Sequence, residues 1–235
     1  MDLFKQQWAT YRTVVDHDLM EHQAATAATA AALDAWFEKQ APGSVLPSLV
    51  DLGCGDLHQL APLLRRLPLG CYTGIDLAEV VLPMAEKTLG PVPYPRQWQN
   101  ADLLSWILSE PASDSIDLLH SAFAIHHLND EQKKIFLTKA RQIINDKGLF
   151  IWLDVFREPG ELHSDYLKRY CRRIQNSWHP LSSAQKKLVI NHVCEFDQPP
   201  DRKMIKTFAE SIGWRWHWAW RGGHAAEAIA LLSPA

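Results

Sequence analysis

The sequence predicts an α/β fold on a mostly parallel, seven-stranded sheet. Three observations carry this. Short apolar segments alternate with amphipathic helical ones from residue 47 to 154. The first of these segments runs straight into a glycine turn, Asp51-Leu52-Gly53-Cys54-Gly55. The chain closes on two strand-like segments, 214–220 and 226–232, around Gly222-Gly223, and such a pair reads as an antiparallel hairpin. Strands that are apolar along their length are buried on both faces and need helical crossovers.

The elements follow in order. Residues 1–41 read as helical: Phe4, Trp8, Tyr11 and Val15 recur at helical spacing, and Ala24, Ala28, Ala31 and Ala35 lead to Trp36 and Phe37 before Pro42-Gly43 ends the run. A strand at about 47–52 enters the glycine turn. A helix at about 57–67, through Leu60, Leu63, Leu64 and Leu67, stops before Pro68. A strand at 71–75 ends in Asp76, and a helix at about 78–88 stops at Gly90-Pro91. A short strand near 96–99 is followed by Asp102, which suits the N-cap of a helix at 103–109. The strand 116–120 precedes a helix that Asn129 or Asp130 could cap and that runs to about 145. The most apolar strand, 149–153, ends at Asp154.

The alternation breaks at 155–200. Two amphipathic helices, one through Leu162, Tyr166, Tyr170 and Ile174 and one at about 182–193, have no strand between them. This is the pattern of a helical lid inserted over the C-terminal edge of the sheet. A helix at about 201–212 returns to the sheet, and the hairpin completes it. Tryptophans 214, 216, 218 and 220 alternate along its first strand and should share one face. The whole of 1–235 then forms one domain, with 1–41 as an N-terminal helical cover and 155–200 as the lid.

A chain of 235 residues with 47% hydrophobic and 22% charged residues can bury a full α/β core. Its net charge of −3 argues against general affinity for nucleic acid or anionic membrane. Four scattered cysteines without a Cys-x-x-Cys pair argue against disulfides and cysteine-held zinc, and fit reduced thiols in the cytoplasm. No signal peptide or membrane span is read; the Ala-rich piece at 24–32 is too short and is broken by threonines. Nor does any His-x-x-x-His or paired-carboxylate spacing mark a metal site, so no metal is expected. Oligomeric state is left open.

Strand, glycine turn and helix make a nucleotide-sized site at the carboxyl ends of strands in a Rossmann-like sheet. Asp51-Leu-Gly-Cys-Gly55, Asp76 at the end of the second strand, Asp102 after the third and the final hairpin together resemble the class I S-adenosylmethionine-dependent methyltransferases. The segment Ser121-Ala-Phe-Ala-Ile-His-His-Leu128 resembles a stretch found in small-molecule members. The likeness spans about 46–154 and 201–232. It implies S-adenosyl-L-methionine as cofactor. Gly53, Cys54 and Gly55 would pass close to the amino acid and ribose, and Ser121 would stand beside them. Asp51 would brace the turn through backbone donors or hold the cofactor ammonium through water. Asp76 would grip the ribose hydroxyls, with Leu77 on the adenine face. Asp102 would accept from the adenine amino group, with Leu103 beside it, or would serve only as a helix cap. The family's third glycine is replaced here by Leu57, so the turn should close differently. A nicotinamide fingerprint would put glycine at His58.

By analogy with similar enzymes, Tyr11 and Arg12 could meet the cofactor's carboxylate, with His17 and His22 as further candidates; the alternative is a core tyrosine and a solvated arginine. His126 and His127 are candidate general bases for a hydroxyl acceptor, or else line the pocket. Phe123, His126, Tyr166, Arg169, Tyr170 and Trp178 are candidate substrate contacts. The basic residues Lys168, Arg169, Arg172 and Arg173 read either as a solvated helix face or as an RNA contact. Methyl transfer to a small molecule is the leading reading; a tRNA methyltransferase and a non-catalytic cofactor-binding protein are the alternatives.

Overall fold

The computed structural model describes residues 2–109 and 115–235, with side chains from Trp8 onward; the Phe4 side chain lies outside that description. The strands are β1 (Ser48–Leu52), β2 (Cys71–Asp76), β3 (Arg96–Asn100), β4 (Ile116–Ala122), β5 (Ile144–Val155), β6 (Trp214–Arg221) and β7 (Glu227–Pro234). They form one sheet in the order β3-β2-β1-β4-β5-β7-β6. β1 to β5 pair in parallel, and β7 runs antiparallel between β5 and β6. The chain steps outward from β1 to β3 and then returns to place β4 on the other side of β1. Loops leave such a switch point in opposite directions and open a crevice between them. The segments after β1 and β4 are therefore the walls of the site.

Nine helices are described: α1 (Asp2–Asp16), α2 (His22–Phe37), α3 (Ala61–Leu64), α4 (Leu82–Leu89), α5 (Leu103–Ser109), α6 (Asp130–Ile143), α7 (His163–Ser177), α8 (Ser183–Phe196) and α9 (Arg202–Ser211). Alternate strand residues face opposite sides. Val50, Leu119, Phe150 and Trp152 pack with Trp106, Phe136 and Ile205 from α5, α6 and α9. Leu49, Tyr72, Leu118 and Ile151 pack with Leu33, Leu64 and Ala85 from α2, α3 and α4. A third cluster joins Val14 of α1 to Tyr166, Tyr170 and Ile174 of α7 and Val193 of α8. Local signals set the ends of several helices. Asn129 and Gln132 form a reciprocal capping box on α6, Ser182 and Gln185 do so on α8, and Asp201 caps α9.

Several features depart from the sequence reading. The helix expected at 57–67 shrinks to Ala61–Leu64. Leu57 sits in the left-handed region at φ 59°, where no α-helix can start. The two N-terminal helices part company: α1 packs with α7 and α8, while α2 is part of the sheet's own core. Trp220 does not share a face with the other three tryptophans. A register shift between Trp218 and Trp220 inserts an extra residue, so Trp214, Trp216 and Trp218 pack on one side and Trp220 on the other. The cysteines are also less scattered than the sequence suggests. All four thiols are free, yet Cys171 and Cys194 approach to 3.6 Å between α7 and α8. Among the described residues no helix is long and apolar enough to cross a membrane.

Candidate active site

The turn after β1 has two glycines in the left-handed region, Gly53 at φ 73° and Gly55 at φ 53°. Gly53 and Cys54 both donate to the Ile75 carbonyl, at 2.8 and 3.0 Å, which ties the turn to β2. A Cβ on Gly53 would stand 2.5 Å from the Ala124 Cβ, so the segment after β4 can close on the turn only because that residue is glycine. Asp76 lies at the rim. Its carboxylate accepts from the Gly55 amide at 2.9 Å and the Ala78 amide at 2.8 Å. Burial raises its pKa, while these two amides pull the other way.

Asp51 faces the crevice but is braced by the sheet, not by turn amides. Tyr72 donates to it at 3.0 Å, and His120, its register partner on β4, meets it at 2.7 Å. The Cys54 thiol is buried beside Asp51, and both effects raise its pKa. Ser121 is fully buried and donates to the Leu52 carbonyl at 2.9 Å, so it staples β4 to β1 instead of facing the crevice. Further along the sheet edge, Leu77 is 73% exposed. Asp102 accepts from the Ser105 amide at 2.8 Å and caps α5; Leu103 packs against the core beneath it.

Tyr11, His22, Thr26 and Thr29 wall the crevice from the helical side. Tyr11 is 42% exposed as a residue, and desolvation of its hydroxyl, with Asp56 nearby, pushes its pKa up to about 12. Arg12 does not point a free guanidinium at the crevice; it donates to Asp56 at 2.9 Å and to Asp16 at 3.5 Å. His17 is turned back on its own helix, where Nδ1 meets the Thr13 carbonyl at 3.2 Å. His22 is buried with neither ring nitrogen hydrogen-bonded, and burial lowers its pKa to about 4. A neutral imidazole with a free donor and a free acceptor thus faces the space above the turn.

A second, apolar cavity of about 330 Å³ opens next to this crevice. Trp8, Val14, Phe123, Tyr170, Trp178 and Val193 line it, and its polar end carries His126, His127, His192 and Asp197. Tyr11 and Phe123 line both spaces. Phe123 takes φ 51°, a costly conformation for a bulky residue, and its amide is pinned to the Leu153 carbonyl at 2.9 Å. Tyr166 and Arg169 are not in this wall. Tyr166 is fully buried behind it, stacked on Tyr170 with centroids 5.4 Å apart. Arg169 holds Glu161 and the carbonyls of His224 and Ala225.

The two histidines after β4 differ. His126 is buried; Asp154 accepts its backbone amide at 3.0 Å and meets Nδ1 at 2.5 Å. Its Nε2 is 3.5 Å from Asp197. Burial opposes charge on this ring, but Asp154 and Asp197 outweigh it and raise the pKa to about 10. His126 therefore holds its proton at neutral pH, which speaks against the general-base alternative and leaves that of lining the pocket. His127 is pushed down to about 4 by burial and by the neighbouring His126 charge. Lys133 fixes the surroundings. Its buried ammonium donates to the Leu128 carbonyl and, at 2.6 Å, to the Gln198 carbonyl, and burial lowers its pKa to about 8. Neither Asp154 nor Lys133 nor Asp197 carries a motif that would single it out in sequence.

This fold is shared with solved structures of low sequence identity. YcgJ of Bacillus subtilis is 12% identical with a TM-score of 0.57, over 86% of this chain and 98% of that one. An S-adenosylmethionine-dependent methyltransferase from Archaeoglobus fulgidus is 15% identical with a TM-score of 0.51, over 81% and 69%. A complex between the Haloferax volcanii Trm112 methyltransferase activator and a putative methyltransferase gives 13% and 0.59, over 95% and 94%. No curated protein matches the sequence. Residues 49–148, however, match the family profile of a methyltransferase domain. That match takes in 100 of the 235 residues, and the fold around it is the one seen in solved S-adenosylmethionine-dependent methyltransferases.

The crevice suits S-adenosylmethionine on its own terms. The glycine turn leaves room for close backbone approach, an acid stands at the end of β2, and His22 offers unmatched polar atoms inside. The profile covers β1 to the start of β5; α1, α2 and everything from α7 onward lie outside the match.

Proposed function

We propose that this methyltransferase acts on a small-molecule acceptor with an apolar body, seated in the cavity beneath α7 and α8. The observation that carries this reading is the shared wall: Tyr11 and Phe123 border both the crevice over the glycine turn and the apolar cavity. Two spaces that share these side chains would place a donor and an acceptor on either side of them. S-adenosylmethionine supplies a methyl group on a sulfonium, which an acceptor atom displaces in line. Much of such a reaction can be accelerated by positioning and exclusion of water.

The residues divide the work by place. Gly53, Cys54 and Gly55 receive the methionine part, with His22 above them and Asp51 behind. Asp76 grips the ribose, Leu77 covers the adenine and Asp102 reaches its amino group. Ser121 and Arg12, whose polar groups are held by Leu52 and Asp56, support this site from behind. Phe123, Tyr170 and Trp178 hold the acceptor's apolar body, and its nucleophilic atom points to His126 and His127. Residues 1–41 and 155–200 act as cover and lid of one domain. The free thiols suit a reducing cytoplasm.

The RNA alternative finds less support. Within the basic cluster of α7, Arg169 is paired with Glu161, Arg173 with Glu227 and Lys168 with Asp165, so much of the cluster is neutralised in place.

Calorimetry with S-adenosylhomocysteine should show one site, and Asp76→Ala should weaken it at least tenfold. In a radiolabelled methyl-transfer screen, Trp178→Ala should raise KM for any aromatic or aliphatic acceptor that turns over. Efficient methylation of bulk tRNA, indifferent to Trp178→Ala, would overturn the assignment.

A further inference from the structure

We propose that His126, His127 and Asp197 form a binding site for a divalent transition-metal ion of the zinc class, with its open coordination positions facing the acceptor cavity. The inference rests on the acceptor-site reading above and extends it to how the acceptor is activated.

One ligand atom from each of the three residues lies within 4.8 Å of the others. Asp197 Oδ1 is 3.5 Å from His126 Nε2 and 3.7 Å from His127 Nδ1. Tetrahedral zinc with bonds of roughly 2.0–2.1 Å needs ligand atoms about 3.3 Å apart, so small side-chain rotations complete the set. The second observation is independent of the clustering. Asp197 is 5% exposed, yet its Oδ1, the atom aimed into the cluster, has no hydrogen-bond partner. The nitrogens nearest it, His126 Nε2, His127 Nδ1 and His192 Nε2 at 3.5, 3.7 and 3.9 Å, stand beyond good hydrogen-bond distance, and a cation placed among them satisfies the oxygen.

The surroundings have the form a metal site requires. Asp154 meets His126 Nδ1, which fixes the ring with Nε2 toward Asp197, and the incoming ion takes the place of the Nε2 proton, which leaves to solvent; carboxylates orient metal-binding histidines in this way. The ligands come from two distant segments, but these are locked together. Gln198 donates to the His126 carbonyl at 2.8 Å, and the Lys133 ammonium bridges the Leu128 and Gln198 carbonyls. His192 stands at the rim, its Nε2 3.9 Å from the same Asp197 oxygen.

Two histidines and one carboxylate leave coordination positions free, as in catalytic rather than structural sites. The adjoining apolar cavity then selects an acceptor with an apolar body and a coordinating thiol or phenol. Coordination lowers the pKa of that group, and its proton leaves to solvent. The resulting anion attacks the methyl carbon: the new bond to carbon forms as the carbon–sulfur bond breaks, and that bond's electron pair stays on sulfur. The products are the methylated acceptor and S-adenosylhomocysteine.

The test uses the full chain, stripped with chelator, and the metal alone. Calorimetric titration with Zn²⁺ should show one ion per chain with sub-micromolar affinity, and Co²⁺ should give the visible absorption of a tetrahedral or five-coordinate site. His127→Ala and Asp197→Asn should each weaken binding by about 100-fold or more, and Asp154→Asn by about 10–100-fold. His217→Ala, on the exposed face of β6, should leave it unchanged. S-adenosylhomocysteine affinity should stay within twofold throughout, which separates failure of the metal site from failure of the cofactor site. Should Asp197→Asn misfold, His127→Ala alone decides, since that side chain is 40% exposed. No stoichiometric Zn²⁺ binding, or binding untouched by His127→Ala, would overturn the proposal and leave a proton-bridged histidine–carboxylate cluster.

Discussion

Gly53 and His22 bear opposite kinds of constraint on the same crevice. Gly53 is fixed by backbone conformation and by the Ala124 methyl 2.5 Å from where its Cβ would stand. Gly53→Ala should destabilise the fold by roughly 1–2 kcal/mol from the left-handed conformation alone, with more from the clash. Ala124→Gly in the same chain should recover the clash component only, as denaturant titration of the single and double variants would reveal. His22 is fixed by what it lacks. Its folded pKa of about 4 lies below the ordinary 6.5 because burial disfavours the charged ring. The unfolded chain therefore takes up a proton first as pH falls. Stability from this residue is complete above 6.5 and is lost as pH drops from 6.5 toward 4. His22→Leu should flatten the fall in urea midpoint across that window; an unchanged fall would assign it to other groups.

Helix α7 illustrates how one element joins three parts of the chain. Arg173 donates to buried Glu227 on β7 at 2.6 Å and to the Leu19 carbonyl between α1 and α2 at 2.7 Å. Glu227 is fully buried and also accepts from Tyr170 at 3.3 Å. Removing only the cation strands a buried carboxylate, so Arg173→Met should cost about 3–5 kcal/mol. Arg173→Met with Glu227→Leu should recover most of it, because a buried ion pair is often close to neutral against an apolar replacement. At the start of α6, the Asn129–Gln132 capping box sets where the His126-His127 segment gives way to helix. Asn129→Ala should lower stability by about 1 kcal/mol in chemical denaturation.

Across the whole molecule, α1, α7 and α8 share a hydrophobic cluster of their own over the carboxyl ends of the sheet. Such a satellite unit opens more readily than the central strands. Hydrogen exchange in α1 and α8 should be faster than in β1, β4 and β5, and bound S-adenosylhomocysteine should slow it, since Tyr11 on α1 borders the crevice. Equal protection of lid and sheet without ligand would count against an opening lid.

What the sequence determined by itself was periodic or local. Apolar strands alternating with helices, the glycine turn and the closing hairpin are short-range patterns, and they sufficed for the sheet and for the acids at its carboxyl edge. Caps at Asn129, Ser182 and Asp201 belong to the same class, because a cap acts within one helical turn. Only tertiary structure decided the rest. Leu57 delayed the helix because the turn closes on β2 and on Ala124. A single inserted residue moved Trp220 to the opposite face. Tyr166 and Arg169 lie on α7 but face away from the cavity that the helix helps to line. Above all, His126, His127, Asp154 and Asp197 converge because the α7–α8 excursion returns beside β4. No spacing along a chain reports such a meeting, since it depends on how two helices pack and not on either segment's own sequence.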